Sequence, residues 1–202
     1  MPSRAGKLLA FLVLLGGTAA APAEEIVSPL PPHTARPAAT ILLWATVGAG
    51  RPGRLTTAPR SPTPALLEAI AAWLASEFAL PAMADAPAVE LAAPRRMIEV
   101  RLGGGPPASF TPDLVAAYDD RTRTIYLPRR WTGGTAAELS VLVHEMVHHL
   151  QSSAGARFEC AEAREKTAYE AQARWLAAFG SGLEAEFGVD PLTLLVRTRC
   201  FR

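Results

Sequence analysis

The side chains best suited to chemistry lie in five consecutive residues, His144-Glu145-Met146-Val147-His148. On a helix, residues four apart lie about 40° apart around the axis, so both imidazoles project from one face and can reach one cation. Glu145 stands beside them, where a carboxylate can act as general base on a water held by that cation. The chain has four histidines, and residue frequencies alone give a chance match to this pattern odds on the order of a percent or less. The chemistry implied is metal-assisted hydrolysis, with Zn2+ the expected ion.

Such a pair of imidazoles needs a helix to hold it. Gly133 and Gly134 punctuate the approach, and Thr135-Ala136-Ala137-Glu138 supplies a capping box, predicting a helix from about Ala136 to Gln151. Leu139, Leu142, Val143, Met146, Val147 and Leu150 cover most of its circumference, so the helix is expected to be buried and its histidines with it. A core helix carrying satisfied histidines is the plainer alternative. It would leave imidazoles and a carboxylate buried together at a cost that only a metal or hydrogen-bond partners offset.

Two His leave a catalytic zinc short of one protein ligand. The segment from Cys160 to Phe179 reads as a second helix and offers Glu159, Glu162, Glu165 and Glu170. Ala161, Ala168, Tyr169, Gln172, Trp175, Leu176 and Phe179 define its inward face, and Glu165 shares that face, seven residues before Gln172. Glu165 is therefore the expected third ligand. Glu162, one turn earlier, and Glu170, on a solvated side with Thr167 and Arg174, remain the alternatives. The donor for a developing oxyanion is open among Tyr169, Tyr126 and His149, the last lying about 140° around the helix from His144.

His144-Glu145-Met146-Val147-His148 together with Glu165-Lys166-Thr167-Ala168-Tyr169 resembles the zincin superfamily, specifically its Glu-liganded branch, the gluzincins. The resemblance implies a Glu on a second helix completing a zinc site, and hydrolysis of peptide bonds. Several members carry that Glu as Glu-x-x-Ala-Asp. Tyr169 stands here in the place of the Asp, a departure that falls on the support of the first His. The run from Thr124 to Pro128 and the continuation His149-Leu150-Gln151 are also similar to exported bacterial proteins regarded as metallopeptidases of unknown function. The resemblance spans roughly residues 61 to 180, and its specific part is the two helices.

The remaining chain supplies the frame. Ser61-Pro62-Thr63-Pro64 opens an amphipathic helix in which Leu66, Leu67, Ile70, Trp73, Leu74 and Phe78 recur at three and four residue steps, with Pro81 stopping it. Val89 to Leu91 and Met97 to Leu102 read as short strands, the latter from the alternation of Ile98, Val100 and Leu102 with Glu99 and Arg101. Gly103-Gly104-Gly105-Pro106-Pro107 is a loop without the Lys-Ser/Thr of a phosphate-binding turn. Residues 115–128 read as a β-hairpin turning at Asp119-Asp120-Arg121-Thr122. It is either an ordinary core hairpin or the open edge on which an extended peptide is laid. The expected architecture is α+β and zincin-like: a small, mostly antiparallel sheet beside two long helices, with the cleft between sheet edge and His helix.

Composition bounds the rest. Two hundred and two residues, half of them hydrophobic, suit one domain with a core, and a formal net charge of +1 with dispersed Arg gives no footprint for nucleic acid. Arg4, Lys7, the apolar run Leu8 to Leu15 and Ala21-Pro22-Ala23 read as a signal peptide over residues 1–23, implying a periplasmic or secreted protein, or one kept on its uncleaved signal as an anchor. Cleavage takes two positive charges and leaves a chain near −1 with no further segment long enough to span a membrane. Residues 24–60 are Pro, Ala and Gly rich, an extension holding the isolated His33 and an apolar stretch from Ile41 to Val47, before a domain over residues 61–202. In an oxidising compartment Cys160 and Cys200 are expected to pair, which is worth roughly 4 kcal/mol in the chain-entropy model for such a loop.

The function expected is an exported zinc metallopeptidase acting on a peptide or protein substrate, with Glu145 as base and His144, His148 and Glu165 as ligands. Two rivals stand beside it: a zincin-like binding protein of the cell envelope without catalysis, and a zinc amidase acting on a non-peptide amide. Oligomeric state and substrate sequence are not encoded in any motif of the chain.

Overall fold

The computed structural model describes residues 60–102 and 115–201, so the signal peptide, residues 24–59 with His33 and the Ile41 to Val47 stretch, and the glycine loop at 103–107 lie outside the described residues. The described part is mixed α+β, with six helices and a three-stranded sheet. No helix among these residues is long and apolar enough to cross a membrane.

Helix α1 (Pro64–Phe78) begins where the sequence signals it. The Thr63 side chain accepts from the Leu66 amide, and Pro64 occupies the first turn, where its missing N–H is not needed. Leu66, Leu67, Ile70, Trp73 and Leu74 are buried on one face, and the helix ends at a left-handed Ala79 just before Pro81.

Strand β1 (Ala88–Ala92) follows, and then α2 (Pro94–Leu102), where a strand was expected. Three alternations of apolar and charged residues suited either period. Pro94 decides for helix, with its fixed φ and no donor to lose, and the Ala93 carbonyl accepts from the Arg96 and Met97 amides. Arg95 and Glu99 then pair one turn apart at 3.2 Å. Met97 and Ile98 are buried, and Met97 joins the side of the sheet that holds Ala92, Ala117 and Tyr126.

Strands β2 (Ala117–Asp119) and β3 (Thr124–Pro128) form the expected hairpin, with Asp119 Oδ1 accepting from the Arg121 amide in the turn. The strand order is β1-β3-β2: β3 pairs in parallel with β1 and antiparallel with β2. The sheet is therefore evenly mixed, not mostly antiparallel. β3, the strand that leads into the His helix, is paired on both sides and offers no open edge for a peptide. Its burial agrees with a central position, since Ile125 and Leu127 face the main core while Tyr126 faces α2.

Helix α3 (Ala136–Ser153) carries the histidines. Its Thr135 cap accepts from the Glu138 amide at 3.0 Å. The Glu138 carboxylate reaches back past Thr135, accepting from the Thr132 and Gly134 amides and the Thr132 hydroxyl. Gly133 is required in this approach: its φ is +65°, and a Cβ there would lie 2.7 Å from the Trp131 ring. Helix α4 (Ala161–Ala177) follows, capped by Cys160. Trp175 of α4 donates to the Ala136 carbonyl and stacks edge-on to Trp73 of α1, tying three long helices, not two, into one core.

The C-terminal residues form two further short helices, α5 (Leu183–Phe187) and α6 (Pro191–Thr198), for which no expectation was drawn. Leu176, Leu183 and Val189 make a small cluster there, with Leu194 and Tyr169 packed against it. Cys160 and Cys200 are joined by a disulfide, as expected, which fastens the segment after α6 to the start of α4.

Candidate metal centre

α3 and α4 pack side by side and bring three ligand atoms together. His144 Nε2 lies 3.1 Å from Glu165 Oε2, His148 Nε2 lies 3.4 Å from the same oxygen, and the two Nε2 atoms are 3.2 Å apart. His148 and Glu165 are buried, and the His144 side chain is 12% exposed. These residues form a group that can hold a metal ion. Glu170 is exposed and Glu162 half-buried, neither belonging to that group.

The other nitrogen of each imidazole is held by a glutamine. His148 Nδ1 is 3.3 Å from Gln151 Oε1, and the Gln151 amide nitrogen donates to the Arg164 carbonyl. A carbonyl only accepts, so the amide oxygen must face the ring and Nδ1 must carry the hydrogen. On the other side, Ser140 donates to the Ala137 carbonyl and Gln172 Nε2 donates to the Ser140 hydroxyl. That leaves Gln172 Oε1 to accept from His144 Nδ1 at 3.1 Å. Both rings are thus fixed with a lone pair on Nε2, and both lone pairs face the carboxylate. Three electron-rich atoms in van der Waals contact repel unless a cation, whether proton or metal, sits among them.

The protonation preferences express the same need. Burial pushes the His144 imidazole down, but hydrogen bonding to Glu165 and the charges of Glu145 and Glu165 outweigh it, so the ring is raised above its ordinary 6.5. Burial pushes Glu165 up, and the hydrogen bonds and charge of the two imidazoles more than reverse this, holding it far below the usual carboxylate range.

Glu145 is 6% exposed and close enough to bias the charge on His144. Tyr169 lies with its ring edge-on to His144, centroids 4.8 Å apart, and its hydroxyl accepts from Arg197. The other two candidates for an oxyanion donor are placed elsewhere. Tyr126 points to α2, where Arg96 donates to its hydroxyl. His149 is fully buried on another side of α3, its Nε2 donating to the Asp85 carbonyl, which leaves Nδ1 to accept from Tyr118. Burial keeps that ring neutral by lowering it, and it ties α3 to β2 as a structural histidine.

Residues that the sequence reading did not single out complete the surroundings. Arg164 forms a two-pronged pair with Asp120 of the hairpin turn at 2.6 and 2.7 Å and donates to the His148 carbonyl, pinning α4 next to Glu165. Gln172 accepts from His144 Nδ1. Its seven-residue spacing from Glu165 was a visible sign of a shared face, and Gln151 was visible three residues after His148.

The fold and this geometry define a mixed α+β protein whose two longest helices meet at a candidate metal site. Residues 59–202 match the family described as Domain of unknown function (DUF6647), and the chain belongs to it. No curated protein and no solved structure matches the chain.

Proposed function

We propose that this protein is a zinc-dependent metallopeptidase with a zincin-like site, in which His144, His148 and Glu165 hold the ion and Glu145 is the general base. One observation carries the reading: the Nε2, Nε2 and Oε2 atoms converge at 3.1 to 3.4 Å with both imidazole lone pairs fixed inward by Gln151 and Gln172. Ligand bonds of about 2.0–2.1 Å in tetrahedral geometry separate donor atoms by about 3.3–3.4 Å, so the set fits zinc without rearrangement. The donor types, two neutral imidazoles and one carboxylate, suit zinc better than calcium or magnesium, which prefer oxygen.

A zinc ion held there supplies Lewis acidity and a bound water acidified towards neutrality. The chain supplies the rest. Glu145, adjacent to His144 on α3 and buried, takes the proton of the attacking water and returns it to the leaving amine. The two glutamines hold the imidazoles in the tautomer that binds. Tyr169 keeps the remaining hydrogen of its hydroxyl for a substrate oxygen, because Arg197 fills the acceptor side.

The test is cleavage of a mixed peptide library by zinc-loaded protein, by the same protein after chelation, and by Glu145→Gln. The expected outcome is chelator-sensitive cleavage that falls at least a hundredfold in Glu145→Gln while zinc stoichiometry stays at one. Zinc bound at full stoichiometry with no cleavage of any peptide or simple amide refutes the peptidase and leaves a metal-binding envelope protein.

A further inference from the structure

Tyr169 and Arg197 come from different helices, 28 residues apart, and meet beside the triad. Tyr169 follows Glu165 by one turn of α4, which lays its ring against His144. Arg197 lies in the last turn of α6 and donates Nη1–H to the Tyr169 hydroxyl oxygen at 2.8 Å. A guanidinium has five N–H groups and no acceptor, so four remain, together with the hydroxyl hydrogen of Tyr169.

Several arginines are paired with a carboxylate, and one, Arg96, also donates to a phenol, that of Tyr126. Arg164 meets Asp120, Arg174 meets Glu77, Arg123 meets Asp85 and Arg95 meets Glu99. Arg197 is exposed and meets a neutral phenol, with no carboxylate bonded to it among the described residues. Its position is nevertheless fixed. α6 starts at an Asp190 cap followed by Pro191, Leu194 packs against the Leu176 cluster, and Cys200, three residues on, is bonded to Cys160 at the head of α4. The element that carries Glu165 and Tyr169 is the one that anchors the arginine. A guanidinium carried on an anchored helix, hydrogen-bonded to one phenol that lies against a metal-ligand candidate and with N–H groups left over, can receive a planar anion.

The geometry points to a carboxylate-binding subsite formed by Tyr169 and Arg197, and to peptides that present a carboxylate next to the scissile bond as the substrate class. This rests on the metallopeptidase reading. The carboxylate has two sources, the C-terminus of the peptide or an acidic side chain, with the same recognition chemistry.

The experiment measures KM and kcat of the zinc-loaded full chain for matched peptides: free C-terminal acid against amide, and internal Glu against Gln in an amidated peptide. Wild type is expected to favour one acid over its neutral partner about tenfold to a hundredfold, chiefly in KM, from a charge-assisted hydrogen bond. Arg197→Met brings that ratio to about one, and Arg197→Lys restores part of it. The ratio is read within each variant, so a general loss of structure lowers both peptides and leaves it unmoved. Preference for the terminal acid identifies an enzyme that trims C-terminal residues, and preference for internal Glu one that cuts beside acidic positions. A wild-type ratio near one overturns the subsite, as does a ratio that survives in Arg197→Met or a loss in kcat that is equal for acid and amide. Calorimetric titration of the same peptides onto zinc-loaded Glu145→Gln reads the acid preference without turnover, so absence of hydrolysis refutes the peptidase reading alone.

Discussion

Replacing Gln172 by Met separates the hydrogen bonds around the site from its packing. Gln172 is 5% exposed; it accepts from His144 Nδ1 at 3.1 Å and donates to Ser140 at 3.3 Å. Met keeps the volume and apolar contacts but supplies no acceptor, so the His144 N–H is left buried without its partner and the ring is free to turn or to change tautomer. An unsatisfied buried donor costs about 1–3 kcal/mol. Loss of such a ligand-orienting partner lowers metal affinity about 10- to 100-fold. The two figures agree, since a factor of 10 to 100 is about 1.4–2.7 kcal/mol. Zinc affinity is read by competition with a chromogenic chelator, and metal-free stability by chemical denaturation. The expected result is zinc binding weakened by that factor in Gln172→Met, with Gln172→Glu, which keeps an acceptor towards Nδ1, much closer to wild type. If the Met variant binds zinc within about threefold of wild type, Gln172 only fills space, and the fixed tautomer loses half of its support.

Two further outcomes follow from the same geometry. Glu165→Gln removes the negative ligand and is expected to weaken zinc binding by at least a hundredfold, whereas Glu170→Gln, on the exposed side of α4, changes it by less than about twofold; equal effects in the same chelator titration would refute the assignment. In the metal-free protein, Glu165 is depressed below its ordinary 4.5, so its contribution to stability is present above that value and fades as pH falls through the folded pKa. His144 is raised above 6.5, so its contribution is complete below that value and fades as pH rises through the folded pKa. The pair therefore stabilises the metal-free chain most between about pH 4.5 and 6.5, and the rise in thermal midpoint on adding zinc grows from pH 6 to pH 8 as proton competition for His144 ends. A zinc-induced shift that shrinks over that interval would contradict the sign.

What the sequence revealed follows from how local each cause is. α1 and α3 were legible because capping residues sit beside long runs of 3.6-residue periodicity, α4 because of its helix-forming Ala, Glu and Arg and the spacing of its inward face, and that phase alone separated Glu165 from Glu170. α2 was misread because three alternating pairs satisfy two periods at once, and the deciding signal, Pro94, lay just before them. The place of β3 could not be read locally at all. Its two partners are the neighbouring β2 and the distant β1, and only the second, 36 residues away in register, turns it from an edge into the centre. α6 is eight residues long and lies beyond the motif-bearing helices, so its apolar Leu192, Leu194, Leu195 and Val196 were not read as a helix face, although Asp190-Pro191 is a start signal of the same kind as Thr63-Pro64. Arg197 was invisible for that reason.

The placement of Glu165 depends on the register of α4 against α3, since sliding α4 by one turn, about 5.4 Å, would carry its carboxylate out of reach of both imidazoles. Several contacts outside the ligand set forbid that slide. Trp175 is hydrogen-bonded to the Ala136 carbonyl at one end of the contact, Gln172 to Ser140 nearer the middle, and Arg164 to the His148 carbonyl and Asp120 at the other end. The disulfide to Cys200 then fastens the head of α4 from outside. Each of these is polar or covalent, and so specifies position where apolar packing would tolerate a shift. Register is therefore enforced along the whole helix pair, and a buried carboxylate with two imidazoles is the feature for which such enforcement is needed. Beside the apolar packing of Ala168 and Ala171, α4 carries polar contacts to α3 at Arg164, Gln172 and Trp175, spread along its length.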